Sequence, residues 1–188
     1  PATGEFSAAE REALARFNQK AASQESLVQL IDFLYECTRT LSSCDRLGVA
    51  FIDDDGLRLV SYYQKVLYEP IILKKGFSQA LRGSSLEPII TAGRIRIIND
   101  LQRYLDDHPH SVSTKLLVIE GVRANLTLPL VVEGRRIGVL FRSSRSPNAY
   151  NEHDARFHHL IAERLSQAAE KAYRIEQLTE ANRAYSEM

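Results

Sequence analysis

The chain has 188 residues, enough for one ordinary domain with a helical extension, and its 44% hydrophobic content is that of a chain able to bury a core. Its 24 Lys and Arg balance 24 Asp and Glu, so no long-range field gathers nucleic acid or an anionic membrane. No run reaches the roughly 18–20 apolar residues of a bilayer span, and no basic-then-apolar leader opens the sequence. Cys37 and Cys44 lack CxxC spacing and suit buried thiols in a reducing cytoplasm better than a disulfide framework or a cysteine zinc site. The first residue is Pro1 rather than Met, as in a processed product or an excised piece.

The first element is helical. Ser7 and Glu10 form a capping box, and Ala9, Ala13, Leu14 and Phe17 follow at helical spacing until Ser23 and Gln24 interrupt it. A second helix is expected from about Glu25 to Leu41, with Leu27, Leu30, Ile31, Leu34, Tyr35 and Thr38 on one stripe wide enough to cover a sheet. The period then falls to two. Leu47, Val49 and Phe51 alternate with Gly48, Ala50 and Ile52, Asp53 to Gly56 supplies a turn, and Leu57 to Val66 returns as the second strand of a hairpin.

The middle is less regular. Ser84 followed by Glu87 and Pro88 starts a helix that stops at Gly93, and Arg94 to Ile98 is a short strand broken by Asn99-Asp100. Leu101 to His110, polar and containing Pro109, reads as a long, mobile loop. Ser111 caps a short helix that ends near Gly121. A second hairpin follows. Ala124, Leu126, Leu128, Leu130 and Val132 share one face and Asn125, Thr127 and Val131 the other; Glu133-Gly134 turns, and Ile137, Val139 and Phe141 continue opposite Gly138 and Leu140. Both faces of this pair are apolar, which calls for helices on both sides of the sheet.

Asn151 and Asp154 open the last helix, whose pattern runs to Met188 without Gly or Pro. Ile161, Leu165, Ala168, Ala172, Ile175, Leu178, Asn182 and Tyr185 form a seam at spacings of three and four, and its later half fits heptad positions with Asn182 as the polar member. A helix this long needs a partner. The expected one is the same helix of a second copy, with the first helix joining the bundle. The chain therefore divides into an N-terminal helix over 1–24, a core over 25–150 and a dimerising signalling helix over 151–188.

The stretch from Gly121 to Tyr150 carries a resemblance. Gly-Val-Arg-Ala-Asn-Leu-Thr-Leu-Pro-Leu, then Glu-Gly-Arg-Arg-Ile-Gly-Val-Leu-Phe, then Ser-Pro-Asn-Ala-Tyr before an acid-rich helix start resembles the last hairpin of GAF domains, and the element order agrees from about Leu27 to Leu178. The resemblance implies an α+β fold: an antiparallel sheet with helices on both faces and long N- and C-terminal helices, the terminal helices on one face and a ligand pocket under short helices and loops on the other. Within that frame, Gly138 admits a close approach of a helix or side chain, and Pro129 belongs where the ladder needs no donor. The final residues, Arg174 to Met188, resemble the linker before the phosphoacceptor helix of a sensor histidine kinase, with a diguanylate cyclase or a transcriptional activator as other parents.

Strand residues facing away from the terminal helices should line the pocket: Phe51, Tyr62, Tyr63, Asn125 and Thr127, with Ile89, Ile90, Leu116 and Ile119 from covering helices and Asp100, Arg123 and Arg142 for charge. The bland alternative is that these are ordinary core. No cofactor is selected. His153 and His158 stand five residues apart rather than the four of a helical metal pair, and His108, His110 and His159 read as solvated or partly packed. Asp53, Asp54 and Asp55 read as an acidic turn. Neither cysteine suits a bilin, and the residue set of cyclic-nucleotide-binding GAF domains has no counterpart. No Gly-x-Ser-x-Gly, His-Glu-x-x-His or glycine-rich phosphate loop occurs, so no catalysis is expected of this piece. The expected function is a cytoplasmic, homodimeric sensory input domain acting on an output domain through its last helix. The rivals are a ligand-free dimerising relay and a small thiol-dependent enzyme of the same fold.

Overall fold

The computed structural model describes residues 5–23 and 25–188; the expected break at Gln24 lies outside them. Twelve elements follow in the order α1 (Ala8–Ala22), α2 (Leu27–Thr38), β1 (Arg46–Ile52), β2 (Arg58–Val66), β3 (Ser78–Ala80), α3 (Glu87–Ala92), β4 (Arg96–Ile98), α4 (Leu101–Asp107), α5 (Val112–Ile119), β5 (Ala124–Val132), β6 (Arg135–Ser144) and α6 (Glu152–Ser186). The strands form one six-stranded sheet in the order β3-β2-β1-β6-β5-β4, and the resolved pairings are antiparallel. The two hairpins thus join edge to edge through β1 and β6, as the α+β reading expects.

Local chemistry sets the helix starts. Ser7 with Glu10 and Asn151 with Asp154 form reciprocal capping boxes at α1 and α6, and Ser26 with Gln29 does the same for α2. That last box starts α2 at Leu27 rather than Glu25. Ser84 does not cap α3: Leu86 is the capping residue, and the Glu87 carboxylate instead accepts the backbone N–H of Gly83. Gly93 closes α3 in the left-handed conformation at φ 65°.

Two expectations in the middle of the chain are corrected. Leu101 to His110 is not a loop: Asp100 Oδ1 accepts the N–H of Arg103 (3.1 Å) and starts the helix α4. Leu101 is the one residue α4 buries, so the segment has little apolar periodicity to read. The strand β3 was not anticipated; three residues are too few to show alternation.

Alternation sorts the sheet into two faces. Leu47, Val49, Phe51, Leu126, Leu128, Leu130 and Leu140 meet Phe17 of α1, Leu30, Ile31 and Leu34 of α2, and Phe157, Ile161 and Leu165 of α6 in the main core. The opposite face presents Arg46, Ala50, Asn125, Thr127, Val139 and Phe141 toward α3 and α5. Gly138 permits a close approach, but of strand to strand: a Cβ there would stand 2.1 Å from Ala50 O. Pro129 lies beyond the three residues of β5 that β4 pairs, on a stretch whose outer side is a sheet edge. The β5–β6 register shifts between Leu130 and Val131, where Ile137 of β6 is the extra residue, and the N–H of Val131 donates to Ser166 Oγ of α6 (3.1 Å). A disrupted ladder position thereby becomes an anchor for the long helix.

Candidate functional site

The face away from α6 holds a partly open cavity of about 60 Å³. Cross-strand register builds its floor. Arg46, Ser143 and Asn125 lie in one row across β1, β6 and β5, and Gly48, Phe141 and Thr127 in the next. Gly48 has no room for a side chain, since a Cβ would stand 2.5 Å from Tyr63 O and 2.9 Å from the Phe141 ring. Ala50, Leu59 and Val139 extend the apolar floor, while Leu73 and Phe77, Leu86 before α3, and Leu117 of α5 form the roof.

One end of the cavity is closed by a buried ion pair. Arg46 and Glu120 are 1% and 2% exposed. Arg46 Nη1 donates to Glu120 Oε1 (3.0 Å) and Nη2 to Leu73 O (2.8 Å). The Tyr68 hydroxyl donates to the same Oε1, and the N–H groups of Ile72 and Leu73 donate to Oε2 (2.8 and 2.6 Å). Burial, together with the bond to Glu120, pushes the Tyr68 phenol up to about 12, so it stays a donor. These bonds tie the roof segment and the end of α5 to the start of β1. A buried pair held in this way fixes geometry more than it adds stability.

The expected pocket residues divide. Asn125 and Thr127 stand on the cavity wall. Ile89 and Ile90 lie on the same side of the sheet, in a small apolar cluster with Ala50, Leu59 and Val139. Asp100 is spent on capping α4, Ile119 is 59% exposed, and Arg123 Nη1 donates to the carbonyls of Val118 and Val122 (3.3 and 3.0 Å). Leu116 is half-buried and does not line the cavity.

Phe51, Tyr62, Tyr63 and Arg142 belong to the other face, which corrects the expectation for them. Phe51 stacks on Tyr173 of α6 (4.5 Å between centroids), Tyr62 packs edge-on against both rings, and the Tyr63 hydroxyl donates to Asp32 Oδ1 of α2 (2.7 Å). The alternation of β1 was read correctly, with Leu47, Val49 and Phe51 together. What strand alternation lacks is which face meets the terminal helices. Arg46 and Glu120 went unnoticed, although Arg46 shares the parity of Gly48 and Ala50, and nothing local points to a partner 74 residues away.

Arg142, fully buried, is a staple between β6, the turn after α2, and α6. Nε donates to Ser43 O (3.0 Å), Nη2 to Thr38 O (3.2 Å) and Ser42 O (2.6 Å), and Nη1 to Thr38 Oγ1 (2.8 Å). Nη1 also lies 3.2 Å from His158 Nε2. A guanidinium only donates, so His158 accepts at Nε2 and gives its Nδ1–H to Asp154 O (2.7 Å). Burial and the neighbouring Arg142 push the His158 imidazole down to about 3, which keeps it neutral.

The seam expected on α6 also divides. Ile161, Leu165 and Ala172 are buried in the protein's own core, Ala168 is half-buried, and Glu176 Oε1 accepts the N–H of Leu27 at the start of α2 (3.2 Å). Beyond it, residues 177–188 are all exposed. Ile175, Leu178 and Tyr185 are 51%, 66% and 82% exposed, and Asn182 is exposed with them. The surface open to a second helix is therefore the last third of α6.

The histidines are dispersed. His153 Nε2 meets Glu10 Oε2 (2.8 Å), His159 meets Glu163 one turn on, and His108 stacks on Tyr104. Among the described residues, no group of three or more His, Cys, Asp or Glu is placed to hold a metal ion, and no helix is long and apolar enough to cross a membrane. Burial pushes both Cys37 and Cys44 thiols up, which disfavours the nucleophilic thiolate.

Comparison with known proteins was made against this geometry. The family profile described as "GAF domain" matches residues 24–170. No curated protein matches. Among solved structures, the GAF domain of an Acinetobacter phosphoenolpyruvate-protein phosphotransferase superposes with a TM-score of 0.69 at 16% identity, over 92% of this chain and 99% of that one. The phycocyanobilin-bound GAF domain of a cyanobacterial phytochrome gives 0.68 at 15%, over 89% and 97%. The GAF domain of a two-component sensor histidine kinase from Bacillus halodurans gives 0.67 at 16%, over 80% and 98%. At these identities the likeness is one of fold.

Proposed function

This chain belongs to the GAF domain family, and from that premise we propose that it is the sensory input domain of a signal-transduction protein. GAF domains are regulatory and sensory modules of signalling proteins. In this reading a small molecule or a partner acts at the cavity face, the packing of α6 shifts, and paired α6 helices pass the shift to an output domain. A histidine kinase is the first choice of output, supported by the linker-like residues from Arg174 to Met188 and by a sensor-kinase GAF domain among the structural neighbours. A diguanylate cyclase or a transcriptional activator fits the same helix. The setting is the cytoplasm.

One observation carries the reading. α6 runs 35 residues, yet its own domain covers it only as far as Glu176. The remainder carries Leu178 and Tyr185 into solvent beside Asn182, the pattern of a helix awaiting a twin. β6 links that helix to the cavity: Ser143 donates to Asn125 on the cavity wall (2.9 Å), while its neighbour Arg142 holds the start of α6 through His158. A ligand acts through this link only if it binds two states unequally.

Light scattering tests the pairing. The chain is expected to be a dimer that weakens when Ile175 and Leu178 are both changed to Lys; an unchanged dimer removes α6 as the interface. A second reading, a dimerising relay without ligand, is favoured by the small volume of the cavity. Thermal shift against a metabolite library separates the two, since a specific ligand raises the melting temperature by mass action and a bare relay gives no specific hit.

A further inference from the structure

The chemistry of the cavity wall narrows the class of molecule it accepts, an inference that rests on the sensory reading above. Asn125 is 7% exposed and lines the cavity; its Oδ1 is taken by the Ser143 hydroxyl (2.9 Å), which leaves the amide N–H₂ without a partner among the described residues. The Thr127 hydroxyl, in the next row and 1% exposed, has no partner there either. Arg46, also on the wall, uses both terminal nitrogens on Glu120 and Leu73 O, and its Nε–H is left without an acceptor. The unused groups of these buried residues are thus donors, plus one hydroxyl that serves either way, while Ser61, Gln79 and Ser113 of the same lining add hydroxyls and an amide. A molecule that displaces water from these groups must replace its hydrogen bonds, so what fits here brings an acceptor.

Charge narrows the class further. Among the described residues, the full charges on this wall are Arg46 and, behind it, Glu120, and they neutralise each other at 3.0 Å. Glu120 is already satisfied by Tyr68 and two backbone N–H groups. An anion set down here would keep its own charge uncompensated beside Glu120, and a cation would do so beside Arg46; both are expensive beside a largely buried wall. Size gives the last limit. About 60 Å³ is several times the ~10–15 Å³ that one water needs and well short of the ~150 Å³ cavity that takes benzene.

We infer that the cavity binds a small uncharged molecule of a few non-hydrogen atoms. Its carbonyl or amide oxygen accepts from Asn125 and Thr127, and its short apolar body lies on Val139 and Phe141. Size-matched probes of different charge test this: propionamide, propionate and propylammonium, titrated into the ¹⁵N-labelled chain. Propionamide alone should shift the backbone amides of Asn125, Thr127 and Val139 in a saturable way. Thr127→Val, which keeps the shape, should weaken that binding by about tenfold, one hydrogen bond's worth. Asn125→Leu should do at least as much, and where it disturbs the amide spectrum the Thr127 variant decides. Propionate or propylammonium binding there as tightly as propionamide overturns the inferred class and leaves the sensory reading standing. A cavity untouched by all three overturns the class and the ligand-sensing role of this face together.

Discussion

The two faces of the one sheet are built on opposite plans. Toward α1, α2 and α6 the sheet carries the main core: Leu126, Leu128, Leu130 and Leu140 are fully buried, and Arg142, Thr38 and His158 beside them are spent on one another and on named carbonyls. Toward α3 and α5 the sheet keeps an opening and leaves donors idle at Asn125 and Arg46. The difference teaches where rigidity and responsiveness are placed. The face that carries the output helix resists deformation, and the face that meets a ligand holds its polar groups in reserve.

The comparison breaks first at Arg142. Arg142→Ala strands the buried carbonyl of Ser42 and frees His158 Nε2, while Ser43 O keeps the Tyr150 hydroxyl. A loss of about 3 kcal/mol or more is expected in urea unfolding; a change within ~0.5 kcal/mol would show that the tight face does not depend on its staple. Gly138→Ala comes next, because its Cβ meets the Ala50 carbonyl on the neighbouring strand. About 1–3 kcal/mol should be lost, with the shift in chevron or equilibrium midpoint as the measure.

Acid sharpens the same contrast. The His158 imidazole is held down at about 3 in the folded protein, below its ordinary value near 6.5. The unfolded chain therefore binds the extra proton first. The stability that neutral His158 allows is complete above about 6.5 and is lost as pH falls from there toward 3. Between pH 7 and pH 5 the loss should reach about 2 kcal/mol, and a His158→Gln variant should flatten the slope in that interval. An unaltered slope would place the acid sensitivity of that interval elsewhere; Glu10, whose carboxyl lies below its usual range, loses its contribution only as pH falls below about 4.5. The smallest effect on stability should come from Ile175→Lys with Leu178→Lys. Both side chains are more than half exposed, so unfolding of the monomer should move by no more than about 0.5 kcal/mol while any pairing of α6 weakens.

Much of this fold was legible because its signals are local. Ser7 with Glu10, Asn151 with Asp154, and the turn at Glu133-Gly134 announce themselves within four residues. α4 was not legible, since Leu101 alone is buried and Pro109 follows closely. The candidate site was half legible. Parity along β5 put Asn125 and Thr127 opposite the leucines correctly. Phe51, Tyr62, Tyr63 and Arg142 were given to the wrong side because large aromatics and a lone arginine suggest a pocket, whereas here they pack and staple α2 and α6. The Arg46–Glu120 pair depends on the tertiary path between β1 and α5, which no window of sequence contains.

Adjacent residues of β6 do unrelated work: Arg142 looks one way and Ser143 the other. A strand used like this tolerates length change only in pairs. Deleting one residue between Gly138 and Phe141, where the pairing is regular, would draw serine into the place of the guanidinium and thrust the guanidinium into the binding chamber. Removing two would restore the orientation of everything downstream. Relatives and engineered versions of this chain should therefore vary that regularly paired stretch in even steps, and an odd step there should abolish reception and transmission at a single stroke.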